Sequence, residues 1–112
     1  FPANTAASDI VAYVADDPDQ LYKVAVVSGT VVIAGVGRTV VGNNVSLVQN
    51  AGSTQSGNSR VAVLSTSAAT TNTLPIRVID VVAETASAAD TYVELIVKFN
   101  WGMHQYQNAT GV

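Results

Sequence analysis

There is no cysteine in this chain, so disulfides, thiolate metal sites and a cysteine nucleophile are all excluded. Histidine occurs once, at 104, and a triad or metal site built on it would need carboxylates brought from afar. Charge is scarce, at 12% of residues, with a net of −3. The five cations, Lys23, Arg38, Arg60, Arg77 and Lys98, are scattered. Nucleic-acid binding needs a concentrated basic surface, and none is present. No apolar run approaches the ~20 residues that cross a bilayer as a helix. Between Gln20 and Ile79 there is no acidic residue at all.

What fills the chain is valine: twenty, against five leucines, with eleven threonines. β-Branched side chains are stiff at χ1 and suit a pleated surface better than a helix. At 112 residues and 48% hydrophobic content the chain is sized for one domain with a core, not for a disordered segment.

"FPANTAASD" (1–9) has no periodicity and reads as an extended N-terminal arm before a single β domain over 10–112. It begins with Phe rather than Met, which fits a trimmed or processed product. Strand candidates are "IVAYV" (10–14), "LYKVAVV" (21–27), "TVVIA" (30–34), "RTVV" (38–41), "VSLVQ" (45–49), "VAVLS" (61–65) and "IRVIDVV" (76–82). In "YVELIVKFNW", Val93, Leu95, Val97 and Phe99 alternate with Glu94, Ile96, Lys98 and Asn100, which places the first set on the core face. Ser28-Gly29 fits a two-residue hairpin turn, and "AETASAAD" (83–90) a single helical turn or a loop. The expected fold is all-β: a compact antiparallel sandwich or barrel of about seven or eight short strands.

"TVVIAGVGRTVVG" imitates a strand entering a nucleotide-binding glycine turn. Val40 stands where the third glycine or alanine belongs, no helical segment follows, and no acid lies about twenty positions on. Gly35 and Gly37 are read as a bulge or hairpin bend.

The remaining chemical candidates are weak. "DDPD" (16–19) has three carboxylates but not the EF-hand spacing, and reads as a solvated turn. Asp90 and Glu94 have no spacing diagnostic of a glycosidase. Asn44-Val45-Ser46 and Asn108-Ala109-Thr110 fit a glycosylation pattern too short to be informative. His104 is expected as a contact residue or a solvated surface histidine. Trp101, Met103 and Tyr106 follow the last strand, either plugging the open end of the core or meeting a partner. No catalytic, cofactor or metal residues are assigned.

"LPIRVIDVV" followed by "YVELIVKFNWGMHQYQNATGV", with the loop "VQNAGSTQSGNSRVAVL" and the opening "FPANTAASDIVAYV", resembles the small head proteins of tailed bacteriophages, the decoration or cement proteins. The resemblance implies a non-enzymatic virion protein on the outer surface of the capsid, bridging major capsid proteins, homo-oligomeric with a trimer favoured. Neither nucleic acid nor membrane would be a partner. Interface candidates are Phe1, Pro2, Trp101, Met103, His104 and Tyr106. The rival expectation is another virion or cell-surface β module, such as a tail component or a carbohydrate-binding domain.

Overall fold

A computed structural model describes residues 8, 10–29, 38–85 and 93–111. Among them are six strands: β1 (Tyr22–Val27), β2 (Asn44–Val45), β3 (Leu47–Asn50), β4 (Arg60–Leu64), β5 (Ile76–Val81) and β6 (Glu94–Phe99). They form one sheet in the order β2-β5-β6-β1-β4-β3. The two outermost strands, β2 and β3, are consecutive in the chain with only Ser46 between them. One residue spans roughly 3.5 Å, so the sheet must curl until its edges nearly meet. The fold is all-β, a nearly closed barrel with no α-helix among the described residues.

Ser46 makes that corner. Its N–H donates to Ser67 Oγ (2.8 Å), its carbonyl accepts from the Leu64 N–H (3.0 Å), and Ser67 Oγ donates to the Leu64 carbonyl (2.6 Å). Pro75, directly before β5, has no N–H to extend the β2–β5 ladder past Val45↔Ile76. The chain is therefore free to leave β5 and run on beside β4.

The interior follows the period-two pattern. Val26, Val45, Val63, Ile76, Val78, Val81, Val93, Leu95 and Val97 make one buried cluster. On β5 the inward set moves from Ile76 and Val78 to Val81 because the pairing with β6 shifts between Val78 and Asp80. That bulge turns Asp80 away from the core. Its carboxylate instead meets Arg38 Nη1 at 3.0 Å and accepts from the Val81 N–H at 2.8 Å.

Several expectations need correction. The sheet is not wholly antiparallel, since β1 pairs parallel with β4 at Val26↔Val63 and Val27↔Leu64. "IVAYV" (10–14) belongs to no strand, and Val11, Tyr13 and Val14 are 80, 99 and 78% exposed. "RTVV" is not extended: Arg38–Val40 is a 3-10 turn. There the Gly42 N–H must reach the Val78 carbonyl (2.9 Å), which a φ of 88° at Gly42 permits. Of the stretch 83–90, expected as a single helical turn or a loop, Ala83–Thr85 is a 3-10 turn, and 86–90 lie outside the described residues. The described residues hold six strands, and the expected seven or eight included 30–34, which lies outside them. The arm apart from Ser8, the strand at 30–34 with its proposed hairpin, and the bend at Gly35 and Gly37 lie outside them.

Candidate interface site

The loop after β6 is built on Asn100. This residue is 3% exposed, and its side chain makes four hydrogen bonds. Nδ2 donates to the carbonyls of Asn72 (3.2 Å) and Leu74 (2.9 Å). Oδ1 accepts from the Trp101 N–H (2.9 Å) and from Arg77 Nη2 (3.3 Å). Its backbone N–H donates to the Pro75 carbonyl at 2.8 Å. A polar side chain withdrawn from water at a strand end is thus satisfied on both of its functional groups. The chain turns at once, with Gly102 at φ 82° and the Met103 N–H on the Asn100 carbonyl (3.0 Å).

His104 is the inner member of the loop, 9% exposed. Its Nδ1 accepts from the Tyr106 N–H at 3.2 Å, and its Nε2 faces Asp16 Oδ1 at 3.4 Å. The tautomer with its proton on Nε2 satisfies both contacts. The ring packs edge-on against Phe99 at 5.8 Å, and Phe99 packs edge-on against Tyr22 at the same distance. Tyr106 lies tilted over His104 at 5.3 Å and donates its hydroxyl to Asp16 Oδ2 at 2.8 Å.

This geometry answers the core-plug question. Tyr22, Phe99 and His104 stack edge-on in a row, with Tyr22 and Phe99 packed against the core, while Trp101 stands outside, 77% exposed. Met103 and Tyr106 are exposed beside it in sequence, at 43 and 66%. His104 is neither solvated nor an outward contact residue: it holds the loop from beneath. Phe1 and Pro2 lie outside the described residues.

"DDPD" does form a turn, with the Gln20 N–H on the Asp17 carbonyl (3.1 Å) and the Asp19 N–H on Asp17 Oδ1 (2.9 Å). Its acids do more than solvate it. Asp16 meets His104 and Tyr106, and Asp19 meets Lys98 Nζ at 3.1 Å. Glu94 meets Lys23 at 3.3 Å, and Asp90 lies outside the described residues. Among the described residues no three His, Cys, Asp or Glu side chains gather as metal ligands.

A second group was not foreseen as a site. Arg77 and Lys98 are directly opposed across the β5–β6 ladder. With Ile79, Trp101 and Gln107 they line a half-open pocket of about 270 Å³. Arg77 Nε donates to Asn44 Oδ1 at 2.8 Å, and Asn44 is itself buried. Two buried asparagines therefore aim one guanidinium. The only sequence signal was a cation inside the apolar run "IRVIDVV".

A third concave feature lies where the barrel wall splays. β1 pairs with β6 over Tyr22–Ala25 but with β4 only at Val26 and Val27. The gap leaves an apolar cleft of about 270 Å³ bordered by Tyr22, Val24, Leu47, Val61, Val97 and Phe99.

Compared with known proteins, the chain matches no family model, no curated protein and no solved structure.

Proposed function

We propose that this chain is a decoration, or cement, protein: a non-enzymatic virion component that binds the outer surface of a phage head and stabilises it by bridging major capsid proteins. The observation that carries the reading is the loop after β6. Trp101, Met103 and Tyr106 are exposed there, yet the backbone that presents them is fixed by buried Asn100 and His104. Exposed Trp, Tyr and Met are enriched where proteins dock, and a pre-fixed loop loses little freedom on binding. In this reading the protein acts as a homo-oligomer, a trimer first, whose repeated contacts multiply the affinity of each copy. The sequence resemblance supplies the shell as the partner.

The test is to mix the protein with undecorated heads and heat them. Uptake by the heads and a higher rupture temperature are expected. Heads that neither take it up nor resist heat better would end the proposal.

One observation favours a second reading, a carbohydrate-binding surface module: the exposed Trp101 borders a pocket containing Arg77 and Gln107. Reproducible hits on a glycan array, together with no uptake by heads, would favour it.

A further inference from the structure

The geometry points to a carboxylate-recognition site in the pocket of Arg77, Lys98, Trp101 and Gln107, made to take an Asp or Glu side chain of a partner protein. Three independent features converge on it. Like charges placed directly opposite on an antiparallel ladder repel, and Arg77 and Lys98 are so placed. Lys98 is balanced by Asp19 at 3.1 Å. Arg77 contacts no carboxylate among the described residues; its partners are the neutral oxygens of Asn44 and Asn100. Its guanidinium is oriented but not neutralised.

Gln107 supplies the second feature. Its Oε1 is buried without a hydrogen-bond donor among the described residues, and Gln107 lines the same pocket. A buried acceptor left unpaired is costly unless a ligand brings the donor. A carboxylate attached to a peptide brings both complements: an anion for the arginine fork and an N–H nearby for Gln107. The third feature is the wall. Trp101 and Ile79 give the pocket an apolar side against which the stem of an acidic residue packs.

Arg and Trp side by side are typical anchors of protein–protein contacts, which favours a peptide carboxylate over a sugar acid. The inference rests on the docking reading only for the partner being a protein. The carboxylate preference is tested on the isolated chain, so failure of one leaves the other to be judged separately.

Trp101 is the only tryptophan, so its fluorescence reports from the pocket without labelling. Wild-type protein is titrated with tetraglutamate and, separately, with oligogalacturonate, both to millimolar concentration. Tetraglutamate is expected to give a saturable change. Arg77→Gln should weaken binding at least tenfold, and Arg60→Gln, a cation outside this pocket, should leave it unchanged. Gln107→Leu should weaken binding severalfold while the melting temperature holds or rises, an outcome that a purely structural glutamine would not produce. Should Arg77→Gln fail to fold, Gln107→Leu decides. No saturable change in the wild type, equal affinity in the Arg77→Gln and Arg60→Gln variants, or a response to oligogalacturonate alone overturns the proposal.

Discussion

Asp16 and His104 meet at 3.4 Å, fastening the segment before β1 to the loop after β6. Asp16 is half-exposed while His104 is buried, so the two partners are unequal. Truncating His104 to Ala should cost about 1–3 kcal/mol, because the ring packing is lost and the Tyr106 N–H loses its acceptor. Asp16→Ala alone should cost less. The coupling between them in a double-mutant cycle should come to about 1 kcal/mol, the net worth of a hydrogen bond between a neutral imidazole N–H and a half-exposed carboxylate. Urea unfolding of the four proteins measures it.

Asn100→Ala should be among the most damaging polar substitutions. It strips donors from two carbonyls, an acceptor from the Trp101 N–H, and one of the two oxygens that aim Arg77. A loss of about 2–4 kcal/mol is expected from the partners left unsatisfied. Urea denaturation reads the stability. A simultaneous change in Trp101 emission would show that the loop moved too.

Leu95 and Ile96 test the alternation on β6. Leu95 is 1% exposed and among the largest fully buried side chains, whereas Ile96 is only partly buried. Leu95→Ala should cost about 2–5 kcal/mol through lost burial and the cavity left behind. Ile96→Ala should cost distinctly less. Equal losses in chemical denaturation would contradict the inward–outward assignment.

Trp101→Ala should separate stability from docking. A side chain 77% exposed contributes little to folding, so the change in stability should stay within about 0.5 kcal/mol. Binding to heads should fall at least about tenfold, the loss of a typical aromatic anchor. Co-sedimentation with undecorated heads measures the second quantity. Unchanged co-sedimentation would remove Trp101 from the interface.

Much of the barrel was legible because period two is written plainly where one face is buried. "YVELIVKFN" and "LYKVAVV" are such stretches, and β6 and β1 follow them closely. "IVAYV" has equally strand-like residues but no neighbour to pair with among the described residues, and side-chain propensity cannot supply a ladder partner. "RTVV" failed for the opposite reason: the chain must double back to set Gly42 against Val78, and that demand outweighs β-branching. Strict alternation from Ile76 and Val78 would put Asp80 inward; the bulge rotates it outward, and nothing local in "IRVIDVV" announces a bulge.

The candidate site was half visible. Trp101, Met103 and Tyr106 could be singled out as chemically unusual, but which of them faced outward depended on Asn100 and His104 taking the buried places. The Arg77 pocket depends on register. Arg77 and Lys98 are 21 positions apart in sequence, and only the β5–β6 pairing sets them opposite.

β1 has the widest consequence. β3–β4 and β5–β6 each join stretches close together in the chain, and either can assemble early by short loop closure. Apart from the corner at Ser46, β1 is the described strand that joins them, meeting β6 from Tyr22 to Ala25 and β4 at Val26 and Val27. Its pairings join residues far apart in the chain, Val24 with Leu95 and Val26 with Val63, and contacts of such separation are expected to form late. Until it engages, the apolar faces of both halves remain available to other copies, so dense synthesis of this protein would reward whatever hastens that last step.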